Sequence, residues 1–118
     1  MLTTLLKAKL HKATVTGSEL DYEGSLTIDR ELMDEIQIAP YEKILVANVA
    51  NGERFETYAI PAPAGSKEII LNGATAHKGD VGDRVIIFTF CQVTDAERAV
   101  HHPSVLVLDE KNDIILRK

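Results

Sequence analysis

From Lys7 to Thr16 the chain reads KAKLHKATVT, with polar and apolar residues in rough alternation. A period of two puts Lys7, Lys9 and His11 on one face of a strand and Ala8 and Leu10 on the other. Leu26 to Ile28 predicts a short strand, after which Asp29 can cap a brief helix over RELMDEI. Leu32 and Ile36 fall one turn apart in that helix, and Pro40 marks its outer limit. KILVAN and RFETYAI read as two β arms, with Asn51-Gly52 between them suited to positive φ at both centres of a type I′ turn. KEIILN predicts a strand running into Gly73, and RVIIFTFCQV a strand buried on both faces. A polar segment, TDAERAVHHP, then precedes a final strand pair, SVLVL and IILRK, joined at DEKND. These elements predict a mainly β, barrel-like fold of about seven short strands with one or two short helices.

With 118 residues, the chain matches a single domain large enough to bury a real core. Apolar residues make up 45% and charged residues 26%, the balance of a soluble globular protein. No apolar run approaches the ~20 residues of a membrane span, and the first residues lack a signal-peptide pattern. Cys91 is the one cysteine, so no intrachain disulfide forms and a reducing, cytoplasmic setting is expected. The net charge of −5 argues against a nucleic-acid binder. Residues 1–18, however, carry Lys7, Lys9 and Lys12 and no acidic side chain. That cationic strip can receive a small anion, or it can be an edge strand protected by lysines.

His11, His77, His101, His102 and Cys91 show no metal-site spacing, and no phosphate-binding glycine loop is present. A GxSxG nucleophile elbow is also absent. Cys91 lies in an apolar run and reads as core. Gly24-Ser25 offers different chemistry. A serine hydroxyl can attack the carbonyl of the preceding residue and convert the peptide bond to an ester, given a bent backbone and a donor for the oxyanion. Elimination of that ester splits the chain and leaves dehydroalanine, whose imine tautomer is hydrolysed by water, releasing ammonia and leaving a pyruvoyl group. Its ketone can form a Schiff base with an amine and act as an electron sink. A Gly-Ser pair is ordinarily a turn, and Gly17-Ser18 and Gly65-Ser66 keep that reading.

YEGSLTID around Ser25, together with NGERFETYAI, NGATAH, KLHKATVT and VGDRVII, resembles the pyruvoyl-dependent aspartate 1-decarboxylases up to about Phe90. The resemblance implies a six- to seven-stranded double-psi β-barrel, a homotetramer with active sites between subunits, and β-alanine production for pantothenate synthesis. It implies cleavage at Gly24-Ser25 into residues 1–24 and 25–118, with Ser25 becoming a covalent pyruvoyl group and neither metal nor pyridoxal phosphate in use. Lys9 and Arg54 become partners for the carboxylates of L-aspartate, a guanidinium gripping a carboxylate through two hydrogen bonds. Tyr58 matches the family's proton donor, and Thr57 a residue that touches substrate and assists cleavage. Asn72, Gly73, Ala74 and Thr75 match the loop lining the pocket, with Thr75 departing from the family's NGAA pattern. His11 and Tyr22 are supporting candidates.

Period-two alternation would send Thr57 and Tyr58 to opposite faces of one strand. Both can serve one site if the strand bends or bulges, or if neighbouring subunits share the work. A non-catalytic β-barrel binding module and a pyruvoyl decarboxylase for another amino acid are the rival readings. The sequence is silent on whether a maturation factor is needed.

Overall fold

The computed structural model describes residues 1–118. Nine strands form one sheet: β1 (Thr3–Thr14), β2 (Gly17–Glu19), β3 (Ser25–Asp29), β4 (Lys43–Asn48), β5 (Arg54–Ala62), β6 (Ile69–Asn72), β7 (Arg84–Val93), β8 (Ser104–Leu108) and β9 (Ile114–Arg117). Their order is β2-β6-β3-β5-β4-β7-β1-β8-β9. Three pairs are parallel, β1 with β8, β2 with β6 and β3 with β5. Parallel neighbours need crossover connections, so the chain winds around itself instead of running as a meander. This mainly β, barrel-like fold agrees with the expectation, and the strand count rises to nine.

Period-two alternation builds the core. Ala8, Leu10, Leu26, Ile28, Ile44, Val46, Ala59, Leu71, Val85 and Ile87 pack in one cluster and are essentially solvent-free. Each large aliphatic side chain so buried contributes about 1.5–3 kcal/mol. Helix α1 (Arg30–Glu35) lays Leu32 and Met33 on this cluster, and Asp29 caps it by accepting from the Glu31 amide. The Asp29 carboxylate also accepts from the Gly65 and Lys67 amides, at 2.9 Å each, and so ties the β5–β6 loop to the helix start.

Four local readings change. Gly17-Ser18 is not a turn but part of β2, held in parallel register to Ile70 and Leu71. Asn51-Gly52 is not a two-residue type I′ turn. Of the two only Gly52 has positive φ, and Gly52 and Asn48 close a longer loop through Gly52 N–Asn48 O and Asn48 N–Glu53 O bonds. β7 is buried on one face only, with Phe90 48% exposed, because just one side of the sheet meets the core. Cys91 is accordingly half-buried, in the wall of a surface cavity of about 420 Å³. A further helix, α2 (Asp95–Arg98), lies in the polar segment and opens on a Thr94/Glu97 capping box.

Candidate active site

Ser25 opens β3 and is 0% exposed, although Tyr22, Glu23 and Gly24 just before it are exposed. Antiparallel pairing sets Ser25 opposite Asn72, the last residue of β6. Leu26 and Leu71 point into the core, so Ser25 and Asn72 share the other face. The Asn72 amide spends both N–H groups there, donating to Ser25 Oγ at 3.0 Å and to Thr27 Oγ1 at 2.7 Å. Ser25 Oγ in turn donates to the Glu23 carbonyl at 3.2 Å. A donor on Oγ stabilises negative charge as the hydroxyl loses its proton.

After Asn72 the chain turns into a 3-10 helix, Gly73–Lys78. Gly73 has φ +61°, and a Cβ there would lie 2.6 Å from the Tyr22 carbonyl and 2.8 Å from both N and Cα of Gly24. Only glycine lets the two backbones touch. Thr75, 8% exposed, turns its hydroxyl back toward two carbonyls, Asn72 O at 2.6 Å and Ser25 O at 3.2 Å. Ala74 is exposed on this loop. Asn72, Gly73 and Thr75 therefore close on the Gly24–Ser25 unit from one side.

Strand β5 closes on it from the other. Parallel register pairs Leu26 with Ala59, and the same register run back sets Ser25 level with Tyr58 and Gly24 level with Thr57. Pairing between β4 and β5 runs from Lys43–Tyr58 to Ala47–Arg54 without a shift, so no bulge turns the strand. Tyr58 thus shares the outward face with Ser25, its ring 6.4 Å from that of Tyr41. Thr57 points inward with Phe55 and Ala59. The two side chains flank the dipeptide from opposite faces of one strand.

Lys9 and Arg54 meet elsewhere on the outward face. The Lys9 ammonium stands 5.5 Å and the Arg54 guanidinium 5.7 Å from the ring centre of Phe88, on β7 between their strands. Cations favour the face of an aromatic ring. Neither makes an ion pair, whereas Lys7 is bound to Glu42 at 2.9 Å and Lys43 to Glu56 at 3.1 Å. Two unneutralised cations over one ring leave positive charge available to an anion. Four residues along β5 separate Arg54 from Tyr58, about 13 Å at strand rise, more than the length of an aspartate. Within one chain, then, the cation pair and the Ser25 pocket are separate.

His11 lies two residues from Lys9, and its Nδ1 is buried without a partner. Burial, and then the positive charges of Lys9 and Lys12, hold its pKa below the usual histidine value. Tyr22 is 55% exposed, and its carbonyl lies against Gly73. Sequence reasoning missed Phe88 and Thr27. Phe88 reads only as a strand residue until β1, β7, β4 and β5 are placed in order across the sheet, and Thr27 gains meaning only from the Ser25–Asn72 register.

A family model described as aspartate decarboxylase matches residues 1–115. An aspartate 1-decarboxylase of Thioalkalivibrio sulfidiphilus is 58% identical over 98% of this chain and 91% of its own length. Those of Coprothermobacter proteolyticus and Desulfotalea psychrophila are each 54% identical over 97% of this chain, covering 93% and 96% of their own lengths. With the match running almost end to end, this chain belongs to the aspartate decarboxylase family.

Proposed function

We propose that the chain cuts itself between Gly24 and Ser25 and then decarboxylates L-aspartate to β-alanine and carbon dioxide, the β-alanine serving pantothenate synthesis. Residues 1–24 become the small chain and 25–118 the large one, with Ser25 converted to a pyruvoyl group. The carrying observation is the fully buried Ser25, its hydroxyl held by Asn72 and its preceding peptide pressed against a side-chain-free Gly73. A serine that merely ended a turn would need none of this. The same cradle fits a pyruvoyl group, since Asn72 and Thr75 offer donors on both sides of residue 25.

When formed, the group supplies a ketone that captures the substrate amine and takes up the electron pair released with carbon dioxide. The chain's own residues do the rest. Lys9 and Arg54 bind and orient the carboxylates, the Phe88 ring keeping the two cations in place. The Tyr58 hydroxyl, on the face of Ser25, donates the proton that replaces the lost carboxylate. Thr57, level with Gly24 on the inward side, serves the cleavage step. Separation of the cation pair from Ser25 within one chain supports a tetramer in which a neighbour's Lys9 and Arg54 complete each site.

The test is an intact-mass measurement joined to an aspartate assay. Two fragments, the larger beginning with a ketone, and β-alanine formed in preference to any product from glutamate, are the expected result. Activity in an unbroken chain that still carries serine at position 25 would overturn the reading, and native mass spectrometry would test the tetramer.

A further inference from the structure

Thr75 carries a buried hydroxyl between two carbonyls, and one of them belongs to Ser25 itself. A hydroxyl has one proton to donate. At rest the shorter contact, 2.6 Å to Asn72 O, takes it, and the 3.2 Å contact to Ser25 O goes largely unused. The Ser25 carbonyl, however, has a special place in the elimination that follows ester formation. In that step the Cα proton of Ser25, a residue buried in the uncut chain, leaves to a water molecule admitted beside the exposed Tyr22–Gly24 stretch once the peptide bond has become an ester. The Cα electron pair forms the Cα=Cβ bond, the Cβ–Oγ bond breaks, and Gly24 departs as a carboxylate. As the proton leaves, negative charge spreads from Cα onto the adjacent carbonyl oxygen, Ser25 O.

We propose that Thr75 is a catalytic residue of this elimination, its hydroxyl rotating from Asn72 O to Ser25 O as the enolate charge develops. No heavy atom need move, because both oxygens are already within reach. Hydrogen bonds to charged oxygen are roughly twice as strong as neutral ones. The interaction is therefore weak before the transition state and strong within it, the condition for raising a rate. Asn72 supplies the complement, since its N–H already donates to Oγ, the atom that departs. The loop Asn72–Thr75 thus holds a donor at each end of the bond system that rearranges.

This inference rests on the proposed self-cleavage, and the experiment separates the two. Freshly purified wild-type chain and the Thr75→Val, Thr75→Ala and Thr75→Ser variants are incubated and sampled on denaturing gels with and without hydroxylamine. At neutral pH hydroxylamine cuts an accumulated ester, and fragment masses separate a break at Gly24-Ser25 from one at the two hydroxylamine-labile Asn-Gly bonds, Asn51-Gly52 and Asn72-Gly73. Loss of a charge-assisted hydrogen bond predicts that valine and alanine slow spontaneous fragment formation about 10- to 100-fold. They should leave a hydroxylamine-sensitive pool that wild type lacks, and serine should restore the wild-type course. Alanine covers the case in which valine fails to fold, judged by circular dichroism. Wild-type cleavage kinetics in folded Thr75→Ala, with no ester pool, would overturn the role of Thr75 and leave self-cleavage standing. Absence of fragments from wild type at any time would instead remove the underlying reading.

Discussion

The Ser25 pocket and the Lys9–Arg54 patch lie on the same outward side of the sheet and meet their polar groups in opposite ways. Around Ser25 the partners are internal, with both N–H groups of Asn72, the Ser25 hydroxyl and the Thr75 hydroxyl all bonded within the chain. At the patch two cations face solvent without a carboxylate, although Lys7 and Lys43 nearby have found theirs. A reaction of the chain on itself calls for the first arrangement, because both reactants are covalently present and only orientation is lacking. Capture of a free dianion calls for the second, where charge is left unanswered until the ligand arrives. Mutations should divide along the same line, changes to the groups that hold Gly24–Ser25 acting on cleavage and patch changes on substrate affinity, while Tyr58, a proton donor to bound substrate, acts on turnover alone.

The largest effect is expected from Ser25→Ala, which removes the attacking oxygen. Denaturing electrophoresis should show one band and the aspartate assay no product. Next comes Tyr58→Phe, which should still yield two fragments while turnover falls about 10²–10⁴-fold. Unchanged turnover would place the proton donor elsewhere.

Arg54→Lys keeps the charge but loses the forked geometry, so kcat/KM for aspartate should fall about tenfold or more with cleavage unaffected. Most of that loss should appear in KM, and added salt should raise KM further in the wild type, since the patch is exposed to screening. A cleavage defect in this variant would erase the distinction between the two regions. Gly73→Ala tests the pocket side through backbone contact alone. The added Cβ would meet Gly24 and the Tyr22 carbonyl at positive φ, at a cost of about 1–3 kcal/mol, read as a lower Tm and slower fragment formation.

The smallest effect concerns His11. Its folded-state pKa is depressed, chiefly by burial, so the unfolded chain binds a proton more readily than the folded one. Its contribution to stability is present above the unfolded value of about 6.5 and is lost as pH falls below it. Chemical denaturation from pH 8 to 5 should show a decline that His11→Asn flattens.

Much of the fold was legible in the chain. Ala8, Leu10 and Ala13 of KAKLHKATVT and Ile44 and Val46 of KILVAN are the core members of β1 and β4, since burial on one face of a sheet demands period two. Leu45 and Ala47 fall on the other face. Asp29 announced the start of α1, and Thr94-x-x-Glu97 announced α2 to a reader looking for a capping box. Asn51-Gly52 misled because a dipeptide states which φ it tolerates, not how long a loop the flanking strands require. Gly17-Ser18 misled because β2 exists only through its partner β6.

For the site, the sequence by itself determined the chemistry available. Ser25 after Gly24, a tyrosine, a lysine, an arginine and the loop from Asn72 to Thr75 are fixed by covalent order and by family likeness. Tertiary structure decided which of them meet. Ser25 faces Asn72 across 47 residues of chain, Thr57 and Tyr58 flank one dipeptide from opposite faces, and Phe88 draws Lys9 and Arg54 together. Strand register sets each of these encounters, and register is a property of paired strands that no single strand carries in its own residues.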